Sequence, residues 1–279
     1  VIPRREPQAI ILSHKMDPER KEVYVEGRSD RLFLLWIAGD GLHHDVLVHE
    51  IATIELSDQI EGGERGRLIH FAEMVRGQAL NILFFSDADY DRLFDRIDAL
   101  PPNVTLTDGR DTEAYFLRRD CFEKIVKLAI RTDKYSGEDL LSQITLICRE
   151  LASIRIYSEL NGLSLPFQRT QFRKYISFTG YQLRLDLKSY IGALLQNADL
   201  SLSMTDAIYE GFSEVQRDYQ EIPSTELVHG KDLVNVLAEV FLAHNLSRDS
   251  AEPVLRTSFE RSLVKEYPNL TDVYTFITL

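Results

Sequence analysis

Three short words, each placed just after an apolar run, hold seven candidate carboxylates: Glu26 and Asp30 in VYVEGRSD, Asp87, Asp89 and Asp91 in FFSDADYD, and Asp111 and Glu113 in TDGRDTEAYF. In open parallel sheets, ligands bind beyond the carboxyl ends of the strands, so groups that follow different strands meet in space although they lie far apart in sequence. Carboxylates gathered in that way repel, and their pKa values rise unless a cation neutralises them. Every candidate ligand is an oxygen, with no Cys or well-placed His beside it, which favours Mg²⁺ or Mn²⁺ over Zn²⁺. One ion fits between Glu26 and the Asp87/Asp89 pair. A second fits Asp30 with Asp111 or Glu113, and two such ions clamp the attacking and leaving oxygens of a phosphodiester. The competing reading is local: Asp30 sits where a carboxylate favours a helix N-terminus, and Asp111 where it caps the helix TEAYFLRR.

The elements that must position these residues are legible as alternating short apolar runs and helical stretches between about Lys21 and Asp120. That alternation predicts βα units around a mostly parallel sheet. EVYVEG (22–27) reads as a strand and SDRLFLLWIAG (29–39) as the following helix, with Trp36 in its core-facing part. HDVLVHEIATIEL (44–56) supplies a strand or two, EGGERG (61–66) a flexible loop, and RLIHFAEMVRG (67–77) a helix closed by Gly77. ALNILFFSD (79–87) reads as a buried strand, YDRLFDRIDAL (90–100) as a helix stopped by Pro101 and Pro102, and VTLTDGR (104–110) as a last strand and turn. Beyond Asp120, apolar residues recur at three- and four-residue spacing, predicting helices over 120–132, 137–161, 167–197, 204–219, 230–244 and 252–266. The expectation is an α/β domain over residues 1–118 and a helical domain over 119–279 for substrate binding, dimerisation or partner contact.

Composition limits the classes available. A chain of 279 residues with 44% hydrophobic and 27% charged residues can bury a core without disulfides or a structural metal. Cys121 and Cys148 have no second thiol or histidine at ligand spacing, so each is expected to be a buried reduced thiol, as in a cytoplasmic protein. No apolar run approaches the roughly 18 residues of a membrane span, and VIPRREPQ lacks a signal-peptide core, so neither membrane nor export is expected. A net charge of −12 argues against nucleic-acid binding by bulk electrostatics, yet it is silent about local basic patches.

The strand-Glu-Gly word with Asp four residues beyond the Glu, followed some sixty residues later by an apolar strand-Asp-x-Asp, resembles the TOPRIM signature of topoisomerases, primases and OLD-family nucleases. It covers about residues 20–118. VYVEGRSDRLFL, FSDADYDRL, LTDGRDTEAYFL and HGKDLVNVLA together resemble the TOPRIM-like nucleases encoded beside an ABC-type ATPase, the effectors of PARIS-type anti-phage systems. This resemblance implies a TOPRIM (Rossmann-like) fold and a metal-dependent endonuclease held inactive by its ATPase partner, active as a homodimer, and cutting host tRNA. It implies Glu26 as general acid/base or first metal ligand, Asp87 and Asp89 as ion ligands, and Asp30, Asp111 and Glu113 as helpers at a second ion. A basic residue from outside the core signature is implied as well, and Lys231 in HGKDL matches it, with His229 second. No tyrosine nucleophile on a separate large lobe is present to suit a topoisomerase, and Tyr90 is expected to pack or orient. An OLD-like DNA nuclease and a catalytically idle module regulating an ATPase remain the alternatives.

Residues 166–190 mix Arg169, Arg173, Lys174, Arg184 and Lys188 with six aromatics and a single acid, Asp186. Arg and aromatics together suit phosphate and unpaired bases. Helical spacing of the aromatics equally suits core packing or a dimer interface. Arg118, Arg119, Lys124, Lys127, Arg131 and Lys134 form a second basic run, read as a cleft lining or a solvated helix face. His43, His44 and His49 are expected to be surface or packing residues.

Overall fold

The computed structural model describes residues 4–78 and 80–279. Residues 1–3 of the VIPRREPQ segment, and Ala79 at the start of the expected 79–87 strand, lie outside the described residues. Two compact units divide the chain, one of residues up to Thr112 with Glu260–Leu279, the other of Glu113–Phe259. Against an expected division at 118/119, the chain leaves the first unit and later returns to it.

The first unit runs α1 (Pro7–Met16), β1 (Lys21–Val25), α2 (Arg28–Ala38), β2 (Val46–Glu50), α3 (Gly63–Met74), β3 (Ile82–Ser86) and β4 (Val104–Leu106). Its four strands are all parallel, in the order β2-β1-β3-β4. Both sheet faces are covered, which is why β1 and β3 read as unbroken apolar runs instead of alternating ones. Ile10 and Ile11 of α1 and Leu68, Phe71 and Ala72 of α3 pack with Tyr24, Ile82 and Phe84 in one core. Val23, Val25 and Phe85, also buried, point to the other face. There α2 packs on β1 and β2, and the returning helix Pro268–Thr278 packs on α2 and β4. Truncating a side chain as buried as Phe71 to Ala should cost about 3–5 kcal/mol.

Two local expectations need correction. EGGERG is the entry of α3, which starts at Gly63, not a loop: Gly62 takes φ +86, and a Cβ on Gly66 would meet the Glu61 carbonyl oxygen at 1.8 Å. The glycines permit a tight entrance to a helix. Residues 90–100 form turns and a short 3-10 segment, Ile97–Ala99, since Asp95 takes φ 53 and interrupts any α-helix. HDVLVHEIATIEL supplies one strand, β2, within the strand or two expected there, followed by a 3-10 turn at Ile51–Thr53 and a bridge from Ile54 to Arg5. Helix α1 was not among the expected elements.

The second unit runs α4 (Arg119–Lys124), α5 (Gly137–Leu160), β5 (Ile176–Thr179), β6 (Gln182–Leu185), α6 (Leu187–Asn197), α7 (Thr205–Asp218), α8 (Ser224–Leu227), α9 (Gly230–Ala243) and α10 (Ala251–Ser258); the returning helix is α11. Wide π turns over Ile125–Ile130 extend α4, and Arg131 at φ 61 ends them. Ser136 starts α5 with a reciprocal cap, its hydroxyl accepting from Asp139 N while Asp139 accepts from Ser136 N. Leu140, Ile144, Ile147, Leu151 and Ile154 repeat at helical spacing on its buried face, against which α4, α7 and α9 pack.

The helix expected over 167–197 is overturned in its middle. An antiparallel hairpin, β5 with β6, occupies 176–185, and Thr179 pairs with Gln182 across a two-residue loop. Gly180 and Tyr181 both take positive φ, 58 and 64, as a type I′ hairpin turn demands. Only α6 survives of the expected helix.

Candidate functional site

The sheet order makes β1 and β3 neighbours although β2 lies between them in sequence, so the connection reverses direction there. Glu26 follows β1 and Asp87 follows β3, at this reversal, where a parallel sheet opens a crevice. Glu26 Oε1 accepts the Ser86 hydroxyl at 2.6 Å and the Asp87 backbone N–H at 3.1 Å. These two bonds hold one carboxylate oxygen and leave Oε2 as the atom able to take a proton or a ligand. Asp30, in the first turn of α2, accepts the Gly27 N–H at 3.2 Å and the Thr112 hydroxyl at 2.9 Å. Asp87 Oδ1 accepts the Thr112 N–H at 3.1 Å, and the same Thr112 hydroxyl lies 3.4 Å from it. Thr112 thus ties the carboxylates of two strand ends together.

Asp89 takes the left-handed conformation, φ 47, and its N–H donates to the Arg110 carbonyl at 2.7 Å. Asp tolerates this backbone better than most residues, and the turn leaves its carboxylate exposed. Thr107 braces the turn, its Oγ1 accepting the Ala88 N–H at 3.0 Å. Arg92 holds the facing loop by donating to the Asp108 and Gly109 carbonyls at 3.1 and 2.9 Å. Asp108 is turned to another task, accepting the Asn269 and Leu270 N–H groups at the start of α11 at 2.9 and 3.0 Å.

Arg65 is the residue that sequence reasoning missed. From the first turns of α3 its guanidinium lies 3.5 Å from Asp89 Oδ2 and 4.0 Å from Glu26 Oε1, donates to the Asp87 carbonyl at 3.2 Å, and pairs with the buried Asp91. Its only sequence signal was a cation placed two to three residues into a glycine-rich stretch before a helix. Burial raises the Glu26 pKa first; the Ser86 and Asp87 hydrogen bonds pull it down, Asp89 and Asp30 push it up, and the outcome is about 7.

Glu26, Asp30, Asp87 and Asp89 therefore share one rim of the sheet. Asp111 is buried in the loop after β4, beside Thr112. Glu113 belongs to the second unit, where it pairs with Arg256 and fills the space that a Cβ on Gly230 would need, at 2.3 Å. Lys231, also in the second unit, is exposed at the start of α9, its N–H donating to His229 Nδ1 at 3.0 Å. The donors on the rim fit a hard dication in kind, being all carboxylate oxygens with one held near half-protonation at neutral pH. Arg65 and Thr112 stand between them, and among the described residues the set of three donors within 4.8 Å of one another is His43, His44 and Asp45 instead. Those three are sequence neighbours before the amino end of β2, the opposite end of the strands from Glu26, and His44 is 82% exposed. Their closeness follows from adjacency alone.

The expected nucleic-acid-binding residues disperse over the second unit. Arg169 lies exposed in a turn, Arg173 and Lys174 in the 3-10 segment Phe172–Tyr175, Arg184 on the exposed side of β6, and Lys188 on α6, paired with Asp206 at 3.2 Å. Phe172 and Tyr190 are core residues. Arg118 and Arg119, from the other basic run, pair with Asp120 and Glu138 at 3.1 Å each, a surface arrangement. Both cysteines are buried and outside any disulfide, and among the described residues no helix is long and apolar enough to cross a membrane. In comparison with known proteins, no family model matches the chain and no curated protein sequence matches it.

Proposed function

We propose that the chain is a divalent-metal-dependent nuclease of TOPRIM type that cleaves RNA, with tRNA the favoured substrate. The observation that carries this reading is the meeting of Glu26, Asp30, Asp87 and Asp89 at the β1/β3 rim, with Glu26 poised at a pKa of about 7. A general acid/base works best when its pKa lies near the working pH. Glu26 Oε2 takes the proton of the attacking oxygen as the new P–O bond forms, and the leaving sugar oxygen takes a proton from water as its bond to phosphorus breaks. Ser86 and the Asp87 N–H fix the orientation of that carboxyl group during the step. Asp87, Asp89 and Asp30 would hold Mg²⁺ or Mn²⁺, which when bound offsets charge on the phosphodiester and polarises its oxygens. Arg65 supplies a cation beside Asp89 and Glu26, within reach of developing negative charge.

The antiviral role, the ATPase that restrains the enzyme and the active homodimer belong to the same proposal and rest on resemblance. Incubating purified protein with Mg²⁺ and separate tRNA and DNA tests it. Cleavage of tRNA that EDTA and Glu26→Gln both abolish is the expected result, and cleavage of DNA alone would replace the RNA reading with an OLD-like DNA nuclease. One observation favours a second reading. Arg65 already compensates the rim, as it would in an idle module that only regulates an ATPase. Retained toxicity and cleavage in Glu26→Gln would select that reading.

A further inference from the structure

A cavity of about 340 Å³ opens in the second unit between α5, the 3-10 segment Phe172–Tyr175 and the start of α9. Arg155, Phe167, Arg173, Lys231 and Asn235 are among the residues that line it. Its volume falls within the range of small-ligand sites. Two features are independent of each other. The first is charge. Arg155 is clamped by the buried Asp232 through two bonds of 2.9 and 2.8 Å, so that pair is neutral and rigid. Arg173 and Lys231 come from segments nearly sixty residues apart. Among the described residues neither side chain has an ion-pair partner, which leaves the cavity with two uncompensated positive charges in a chain of net charge −12.

The second feature is shape. The Arg155 guanidinium lies over the Phe167 ring, its Cζ 4.5 Å from the centroid, and the two bonds to Asp232 fix it along one edge. A fixed planar guanidinium on an aromatic ring is a surface on which a nucleobase stacks. Gln168, Gln171 and Asn235 bring amide donors and acceptors to the same cavity, suited to the edge of a base.

We propose that this cavity binds one nucleoside monophosphate unit, its phosphate between Arg173 and Lys231 and its base on the Arg155–Phe167 stack. The unit comes either from a free nucleotide or from one splayed residue of an RNA strand. Binding of the free nucleotide does not depend on the nuclease reading, and only the RNA source rests on it.

Isothermal titration of the full chain with 5′-AMP, in EDTA so that the acidic rim takes no metal, tests the proposal directly. One saturable site is expected, with Arg173→Gln and Lys231→Gln each weakening it by about tenfold, the loss of one charge-assisted contact. Lys231 is exposed and Arg173 is half-buried in a short 3-10 segment with no ion-pair partner among the described residues to strand, so both variants should fold; unchanged melting temperatures would verify this. Arg155 is left intact, because removing it would strand the buried Asp232. Adenosine lacking phosphate should bind far more weakly, and inorganic phosphate should need at least about ten times the concentration of 5′-AMP. Displacement of 5′-AMP by tRNA assigns the site to a residue of the strand, and failure of tRNA to displace it assigns the site to a free nucleotide; both support the cavity. No saturable binding of 5′-AMP, binding of phosphate as tight as that of 5′-AMP, or binding unaffected by both variants would overturn the proposal, whatever the cleavage assays give.

Discussion

Glu22 and Glu26 stand at opposite ends of β1, four residues apart, and the two ends of the strand treat the same carboxyl group in opposite ways. Glu22 is fully buried, and burial alone would raise its pKa. Arg5 donates to both of its oxygens at 2.9 and 3.1 Å, Arg20 donates at 2.8 Å and the Tyr24 hydroxyl adds another bond. These partners outweigh desolvation and hold the group at about 2. Glu26, raised first by burial, has only the Ser86 and Asp87 hydrogen bonds to pull it down while Asp89 and Asp30 push it further up, and it settles at about 7. Burial is common to both, so partners decide the charge. One end is a closed ionic knot that holds α1 and the β1–β2 edge. At the other end Arg65 pairs with Asp91 and Asp89 and reaches Glu26 only at 4.0 Å, so Glu26 keeps the perturbed pKa common at sites that bind or react.

The contrast breaks most sharply under substitution. Glu26→Gln should lower metal-dependent cleavage by at least about a thousandfold, a loss of roughly 4 kcal/mol in transition-state stabilisation, while the circular dichroism spectrum and the metal-free melting temperature hold or rise. A variant that unfolds would mean that Glu26 belongs to the scaffold after all. Glu22→Ala should do the reverse. It strands Arg5 and Arg20, each about 30% exposed, and should cost about 3 kcal/mol in urea unfolding, the low end for a broken buried pair, with cleavage per folded molecule retained.

The pH dependence of metal-free stability separates the two ends further. Glu22 has a folded pKa below its unfolded value, so its contribution is complete above about 4.5 and is lost as pH falls towards 2. Burial lowers His14, and burial with Arg5 lowers His49 to about 4. Both must take up protons on acidification, so they add a loss that begins below the unfolded value of 6.5. Glu26 has the opposite sign. Its folded pKa is raised, so its ionisation subtracts stability as pH climbs from about 4.5 through 7, by up to roughly 3 kcal/mol. Melting curves of Glu26→Gln should therefore match wild type at pH 4 and exceed it at pH 8, and Mg²⁺ should narrow the gap at pH 8. Equal curves at both pH values would show that Glu26 carries no such burden. The smallest effect concerns Arg65. Replacing it with Gln removes the resident cation and should tighten Mg²⁺ binding by about tenfold, about 1.4 kcal/mol, while slowing cleavage; weaker Mg²⁺ binding would make Arg65 an organiser of the rim instead of a competitor for it.

Much of this rim was legible because its signals were local. The apolar run of β1 ends at Glu26-Gly27, and that of β3 at Asp87, so each strand end could be read from its own few residues. Arg65 was not legible. Its glycine-rich surroundings signal a loop, and only the close approach of Gly66 to Glu61 turns them into a helix entrance. The hairpin at 176–185 was hidden by aromatics whose spacing also suits a helix, although the two-residue break at Gly180-Tyr181 between ISFT and QLRL carries its signal. Asp108 looks like another acid of the cluster, and its role as the cap of α11 depends on a partner 161 residues away.

That last bond has a consequence for how the molecule is made. A ribosome delivers β1, β3 and every carboxylate of the rim early, but the Asp108 turn waits for Asn269 and Leu270 to emerge. Through the translation of the whole intervening unit, the nascent acidic loop lacks its final brace. Chains interrupted before Asn269 should therefore carry every rim carboxylate and still leave the loop beside them unfastened.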